Sequence, residues 1–194
     1  MHYGAAGTRS ISARLCISLV LLASANSLHA VELGAIAPDF VLPVLANPSP
    51  HTQTAAPHSE AQFAVLQLSD YRGRVVYLDF WQSSCLPCRD ALPLLSRLRD
   101  EFDRNDVEIL GVNTDSSPQD ALAFMDAYPV TYPVVNDPGA AVARKYGLNG
   151  LPTAYLIGRD GTVQAVHEGF APDDLNKIRA GLVALSTAVA TTQK

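Results

Sequence analysis

The chain has 194 residues, 48% of them hydrophobic, and a formal charge of −5 from 14 basic and 19 acidic residues. That length suits one domain with appendages, and the apolar share is enough to fill a sizeable core. The acidic balance, with no run of lysine or arginine, argues against a nucleic-acid partner.

At the N-terminus, Arg9 and Arg14 form a basic region beside the apolar core of residues 15–23, and small residues follow. This is the pattern of a secretory signal peptide over residues 1–30, with cleavage expected after Ala25 or after Ala30. The apolar core falls short of the roughly 20 residues that a membrane helix needs. An uncleaved N-terminal anchor is the alternative. Cleavage removes Arg9, Arg14 and Cys16 and makes residues 31–187 an exported, periplasmic domain. Disulfides form and persist in that compartment.

Residues 37–43 read as an extended segment whose prolines suit an edge strand. Residues 46–61, rich in Pro, Ser, Thr, His and Ala, read as a long mobile loop. Its His51 and His58 are metal-capable, but isolated histidines in a loop are expected to be bystanders. Residues 64–68 form a short strand, and a turn at 69–73 leads to the apolar run Val75–Trp81. Near-continuous apolar character is the mark of a central strand buried on both faces. After Cys88, apolar Leu92, Leu95, Leu98 and Phe102 recur at helical spacing, with Pro93 placed to kink the helix. A strand is expected over 107–113. A helix capped by Ser117 with Pro118 at its first position runs to about Tyr128. A short extended piece at 133–135 and a helix over 140–146 stopped by Gly147 come next. Strands over 153–157 and 162–166 flank the hairpin signal of residues 158–161. Pro172 or Asp173 opens a last helix carrying Leu175, Ile178, Leu182 and Leu185. Residues 188–194 read as a disordered tail. The succession β-α-β-α-β-β-α predicts an α/β fold, a mixed sheet with helices on both faces.

The chemistry concentrates at Cys85-Leu86-Pro87-Cys88, between the buried strand and the helix. A thiol at a helix N-terminus meets unpaired N–H groups and the positive end of the helix dipole, which favour thiolate. A second thiol one turn on can close a disulfide and resolve a mixed one. Cys85 is the expected nucleophile and Cys88 the resolving thiol. Half a zinc site and a structural pair are the alternatives. A structural zinc site takes four ligands, and the three cysteines include Cys16 of the leader, so no metal site is expected.

Residues 79–88 resemble the thioredoxin active-site segment, and Pro93 matches that family's helix proline. Residues 145–153, with Leu151-Pro152-Thr153, resemble the stretch around its cis-proline. Asp160-Gly161 and Gly169 fall where thioredoxins carry a hairpin and a late glycine. The phrases at 37–40 and 68–73 are similar to the exported TlpA/ResA-like branch, and the resemblance covers roughly residues 35–187.

The resemblance implies a thioredoxin-like fold with an N-terminal β extension. It implies an extracytoplasmic thiol–disulfide oxidoreductase that reduces protein disulfides, of the cytochrome c maturation or copper-site assembly type. No cofactor is implied beyond the Cys85–Cys88 disulfide. The partners implied are exported clients with cysteine pairs and a thiol-type electron donor in the membrane, with the protein a monomer. Asp79 would be a buried carboxylate of raised pKa that takes the Cys88 proton. Trp81, Leu86, Pro87, Leu151 and Pro152 would form the client site, with the Pro152 loop pairing to the client backbone. ResA-like reductants carry a glutamate three residues after the second cysteine; here Ala91 stands there, beside Asp90. Two other activities are weighed. A Cu(I) chaperone would use Cys85 and Cys88 with His167 as a third ligand. A peroxiredoxin-like peroxidase would need a threonine and proline before its cysteine, where residues 82–84 are Gln-Ser-Ser.

Overall fold

A computed structural model describes residues 1–2, 30–46, 53–54 and 64–188. The leader with Cys16, the loop histidines His51 and His58, and the tail beyond residue 188 lie outside the described residues. The strands are β1 (Val41–Ala46), β2 (Gln53–Thr54), β3 (Ala64–Gln67), β4 (Val75–Trp81), β5 (Val107–Asn113), β6 (Val134–Asn136), β7 (Thr153–Ile157) and β8 (Val163–Glu168). The helices are α1 (Cys88–Arg99), α2 (Pro118–Ala127), α3 (Ala141–Tyr146) and α4 (Asp174–Thr187), with a 3-10 turn at Leu68–Tyr71.

The strands join in one eight-stranded sheet, ordered β2-β3-β1-β6-β5-β4-β7-β8. β4 runs parallel to β5 and antiparallel to β7. All seven of its residues are buried, as its unbroken apolar run requires. Alternation along β4 splits its side chains between two cores. Val75, Tyr77 and Trp81 face α1, α2 and α4, while Val76, Leu78 and Phe80 face α3 and the 3-10 turn. Asp79 falls on the first of these faces. Leu92, Leu95 and Leu98 anchor α1 there with no more than 1% exposure. Each contributes about 2 kcal/mol by burial.

The N-terminal extension is not an edge. β1 lies between β3 and β6, pairing with β3 through Val41, Leu42 and Pro43 and with β6 through Val44 and Ala46. Pro43 stands where the strand changes neighbour, so its missing N–H interrupts neither ladder. The stretch read as a loop includes β2, which pairs with β3. Ser117 precedes α2 as expected, but its hydroxyl donates to the Gln119 side chain and caps no backbone N–H. β8 starts at Val163, one residue later than its pattern suggested, with a register shift against β7 between Leu156 and Ile157. Gly147 ends α3 at φ 68°, a left-handed conformation that favours glycine.

Candidate active site

The dithiol sits where β4 ends. Thr114 carries the connection after β5 back to it, donating its N–H to the Trp81 carbonyl at 3.0 Å. Cys85 N–H donates to the Gln82 carbonyl at 3.0 Å, which closes a turn over residues 82–85. Cys85 and Cys88 are disulfide-bonded, their Cα atoms 5.4 Å apart. Cys88 is the first residue of α1 and has no exposed surface. Cys85 is half-buried. The asymmetry follows from position: Cys85 lies on the turn above the helix end, and Cys88 points into the core beneath it. An incoming sulfur can reach Cys85 and cannot reach Cys88.

Leu86 and Pro87, between them, are exposed, Leu86 by 64%. An apolar side chain held so far out next to a reactive sulfur offers a contact to a partner chain. The Leu151–Pro152 peptide bond is cis. Register brings it to the dithiol: Phe80 of β4 faces Thr153 of β7, so Pro152 lies across from Trp81 at the same end of the sheet. Pro152 is buried and its carbonyl accepts from Gly169 N–H at 2.8 Å, while Leu151 is half-buried. Next to Leu151 a cavity of about 280 Å³ opens between Thr114, Ala140, Ala143, Arg144, Leu148 and Gly150.

Asp79, two residues before Trp81, is 2% exposed and lies on the face of β4 that also carries Tyr77 and Trp81. Its Oδ2 has no hydrogen-bond partner. Burial pushes its pKa up to about 8, because a carboxylate loses its hydration there with no cation to replace it. The opposing residue on β5 is Gly111, where a side chain would press on Tyr132, the Trp81 indole nitrogen and Val134 at 3.1–3.2 Å. Tyr77 and Tyr132 are pushed well up by the same burial, with Asp79 adding to it. Trp81 is fully buried and stacks on Phe124 at 5.4 Å. With no exposed surface it packs under the dithiol and offers nothing to a client, unlike the contact expected from the sequence. Ala91 is buried beside Cys88 and Asp90 is exposed, so the glutamate position holds no acid turned inward.

His167 lies on β8 against Tyr77, whose hydroxyl is 3.2 Å from its Nδ1. Burial lowers its pKa. Among the described residues no group of three or more His, Cys, Asp and Glu side chains is placed to share a metal ion. Sequence reasoning missed Ser83 and Asp115, a hydrogen-bonded pair that ties the 82–85 turn to the end of β5. Only Asn113-x-Asp115 at a strand end hinted at it.

The model of the AhpC/TSA family matches residues 33–166. The thiol-disulfide oxidoreductase ResA of Geobacillus thermodenitrificans is 33% identical over 140 residues, 72% of this chain and 71% of that protein. ResA of Geobacillus kaustophilus is 33% identical over 165 residues, 80% of this chain and 86% of that protein. A crystal structure from Chlorobium tepidum, described as a thiol:disulfide interchange protein DsbE, superposes with a TM-score of 0.69 at 33% identity, covering 81% of this chain and 99% of that one. With its accessible Cys85 and buried Cys88 at the head of α1, the chain belongs to the AhpC/TSA family and is a thioredoxin-like thiol–disulfide oxidoreductase of the ResA type.

Proposed function

We propose that this oxidoreductase works outside the cytoplasm as a reductant of protein disulfides in clients that must keep a cysteine pair reduced, as in cytochrome c maturation or copper-site assembly. The observation that carries this reading is the unequal burial of the two thiols, Cys85 accessible and Cys88 sealed, with the buried Asp79 on the strand that leads into them. In the reduced protein the Cys85 thiolate attacks one sulfur of a client disulfide. A Cys85–client bond forms, and the client's other sulfur leaves as a thiolate. Asp79 takes the proton from Cys88. The Cys88 thiolate then attacks the Cys85 sulfur, the Cys85–Cys88 disulfide forms, and the client's second sulfur leaves. Two electrons pass to the client, and its two thiolates take up the Cys88 proton from Asp79 and one proton from water. A thiol-type donor at the membrane restores the dithiol.

Leu86, Pro87 and the backbone beside Leu151 and cis-Pro152 would hold the client chain in an extended, strand-like pose. An export signal over residues 1–30 is consistent with this, and within the described residues no helix is long and apolar enough to cross a membrane. The test is reduction of a disulfide-bonded client peptide by the pre-reduced protein. Cys85→Ser should abolish it. Cys88→Ser should stall at a mixed disulfide on Cys85. Full activity of Cys85→Ser would overturn the reading.

A further inference from the structure

The residues between β4 and Cys85 have a second anchor that the reaction above does not use. Asp115 lies just past the end of β5, 4% exposed. Its carboxylate accepts from both polar groups of Ser83: the backbone N–H at 3.0 Å and the hydroxyl at 2.9 Å. It also accepts from Asn113 Nδ2 at 2.7 Å, and its own N–H donates to Asn113 Oδ1 at 3.1 Å. Asn136 at the end of β6 donates to the same Asn113 oxygen at 2.9 Å. Asp137 follows, its N–H donating to the Asn113 carbonyl at 2.8 Å. Its carboxylate accepts from Ala141, Val142 and Ala143 at the start of α3 at 2.9–3.0 Å. A buried carboxylate is costly unless its lone pairs are filled, and that of Asp115 is filled in part from a turn two residues from the reactive sulfur.

We infer that Asp115 is a positioning residue for the dithiol: through Ser83 it holds the 82–85 turn so that Cys85 stays in register with Cys88 when the disulfide is open. The inference rests on the redox reading of Cys85 and Cys88. In the oxidised protein the disulfide itself fixes the turn, and the clamp is redundant. In the reduced protein Cys88 is fixed by α1, while Cys85 depends on its own turn, which Ser83 ties to Asp115. Holding two reacting groups together raises their effective concentration, here that of one thiol for the other. Loss of the clamp frees the reduced state, disfavours ring closure and makes the couple more oxidising. The same network sets the start of α3, which lines the cavity beside Leu151. The turn that presents Cys85 and the wall of that cavity therefore share one polar frame.

The test compares Ser83→Ala, Ser83→Thr and Asp115→Asn with the wild-type protein, measuring the equilibrium of the couple in thiol buffers and the pH dependence of Cys85 alkylation. Ser83→Ala removes one clamp bond without changing charge. It should lower the disulfide equilibrium constant about threefold and leave the alkylation midpoint where it is. Asp115→Asn turns one acceptor oxygen into a donor group. It should lower the constant about tenfold, an upward shift of about 30 mV. Ser83→Thr keeps the hydroxyl and should restore the wild-type constant. If Ser83→Ala folds and titrates with the wild-type constant, the inference is wrong. It is equally wrong if Ser83→Thr departs as far as Ser83→Ala. A wild-type couple that failed to titrate reversibly would instead remove the redox reading beneath it.

Discussion

At the scale of single residues, the site is governed by how differently three neighbouring groups meet water. Cys85 is reachable, Cys88 is sealed, and Asp79 is sealed with its Oδ2 unpaired. The last has two consequences. A carboxyl whose pKa is about 8 in the folded chain and near 3.8 when unfolded binds more protons folded than unfolded between those values. Stability therefore falls as pH rises from about 4 to about 8, by up to about 1.4 kcal/mol per pH unit. Asp79→Asn should be the more stable protein, with a margin over wild type that widens over that range; urea midpoints of the oxidised forms at pH 5 and pH 8 check this. The second consequence is kinetic. With Asp79 as the proposed base for Cys88, ionising near pH 8, resolution should speed up as pH rises toward that value. Asp79→Asn should lose the rise and slow release of the mixed disulfide about 100-fold at pH 7, as followed by stopped-flow fluorescence of Trp81. Of these residues, the two cysteines were legible from spacing alone. Asp79 and Pro152 were reached through family resemblance. The packing around Asp79 was not legible. Gly111 matters because a side chain would collide with Trp81 and Tyr132, and that contact joins separate strands and a loop.

At the scale of elements, α1 is pinned at both ends. Its first residue is half of the disulfide. Near its last turn, Arg99 and Glu108 of β5 form a buried pair, with Nε to Oε1 at 2.6 Å and Nη2 to Oε2 at 3.1 Å. Both are nearly inaccessible, at 4% and 2% exposure, and Arg99 also donates to the Thr131 carbonyl. Removing one partner leaves an uncompensated charge in the core, so Glu108→Ala should cost about 3–5 kcal/mol in a urea unfolding titration. Gly111→Ala should cost about 1–3 kcal/mol by overpacking against Trp81, Tyr132 and Val134. The elements that sequence patterning placed well are those whose burial is uniform, such as β4, β5 and β7. Those it misplaced depend on their neighbours. β1 looked like an edge because of Pro43, but it changes partner at that residue and lies inside the sheet. Ser117 looked like a cap, yet its hydroxyl found the closer Gln119 side chain.

At the scale of the whole molecule, the sheet order sets β4, which leads into the dithiol, beside β7, which the cis-proline precedes. Both emerge at one end, where the proposed client site lies. The Ser83–Asp115 clamp is a product of the same packing, since its two residues stand 32 positions apart and no local pattern joins them. The proposed function has this chain giving electrons to client disulfides. The most direct measurement is the reduction potential of the Cys85–Cys88 couple, titrated in dithiothreitol or glutathione buffers through Trp81 fluorescence. A reductant of this kind should titrate in the range of thioredoxin, about −270 mV. A value near about −120 mV, that of a strong oxidant of secreted thiols, would contradict it.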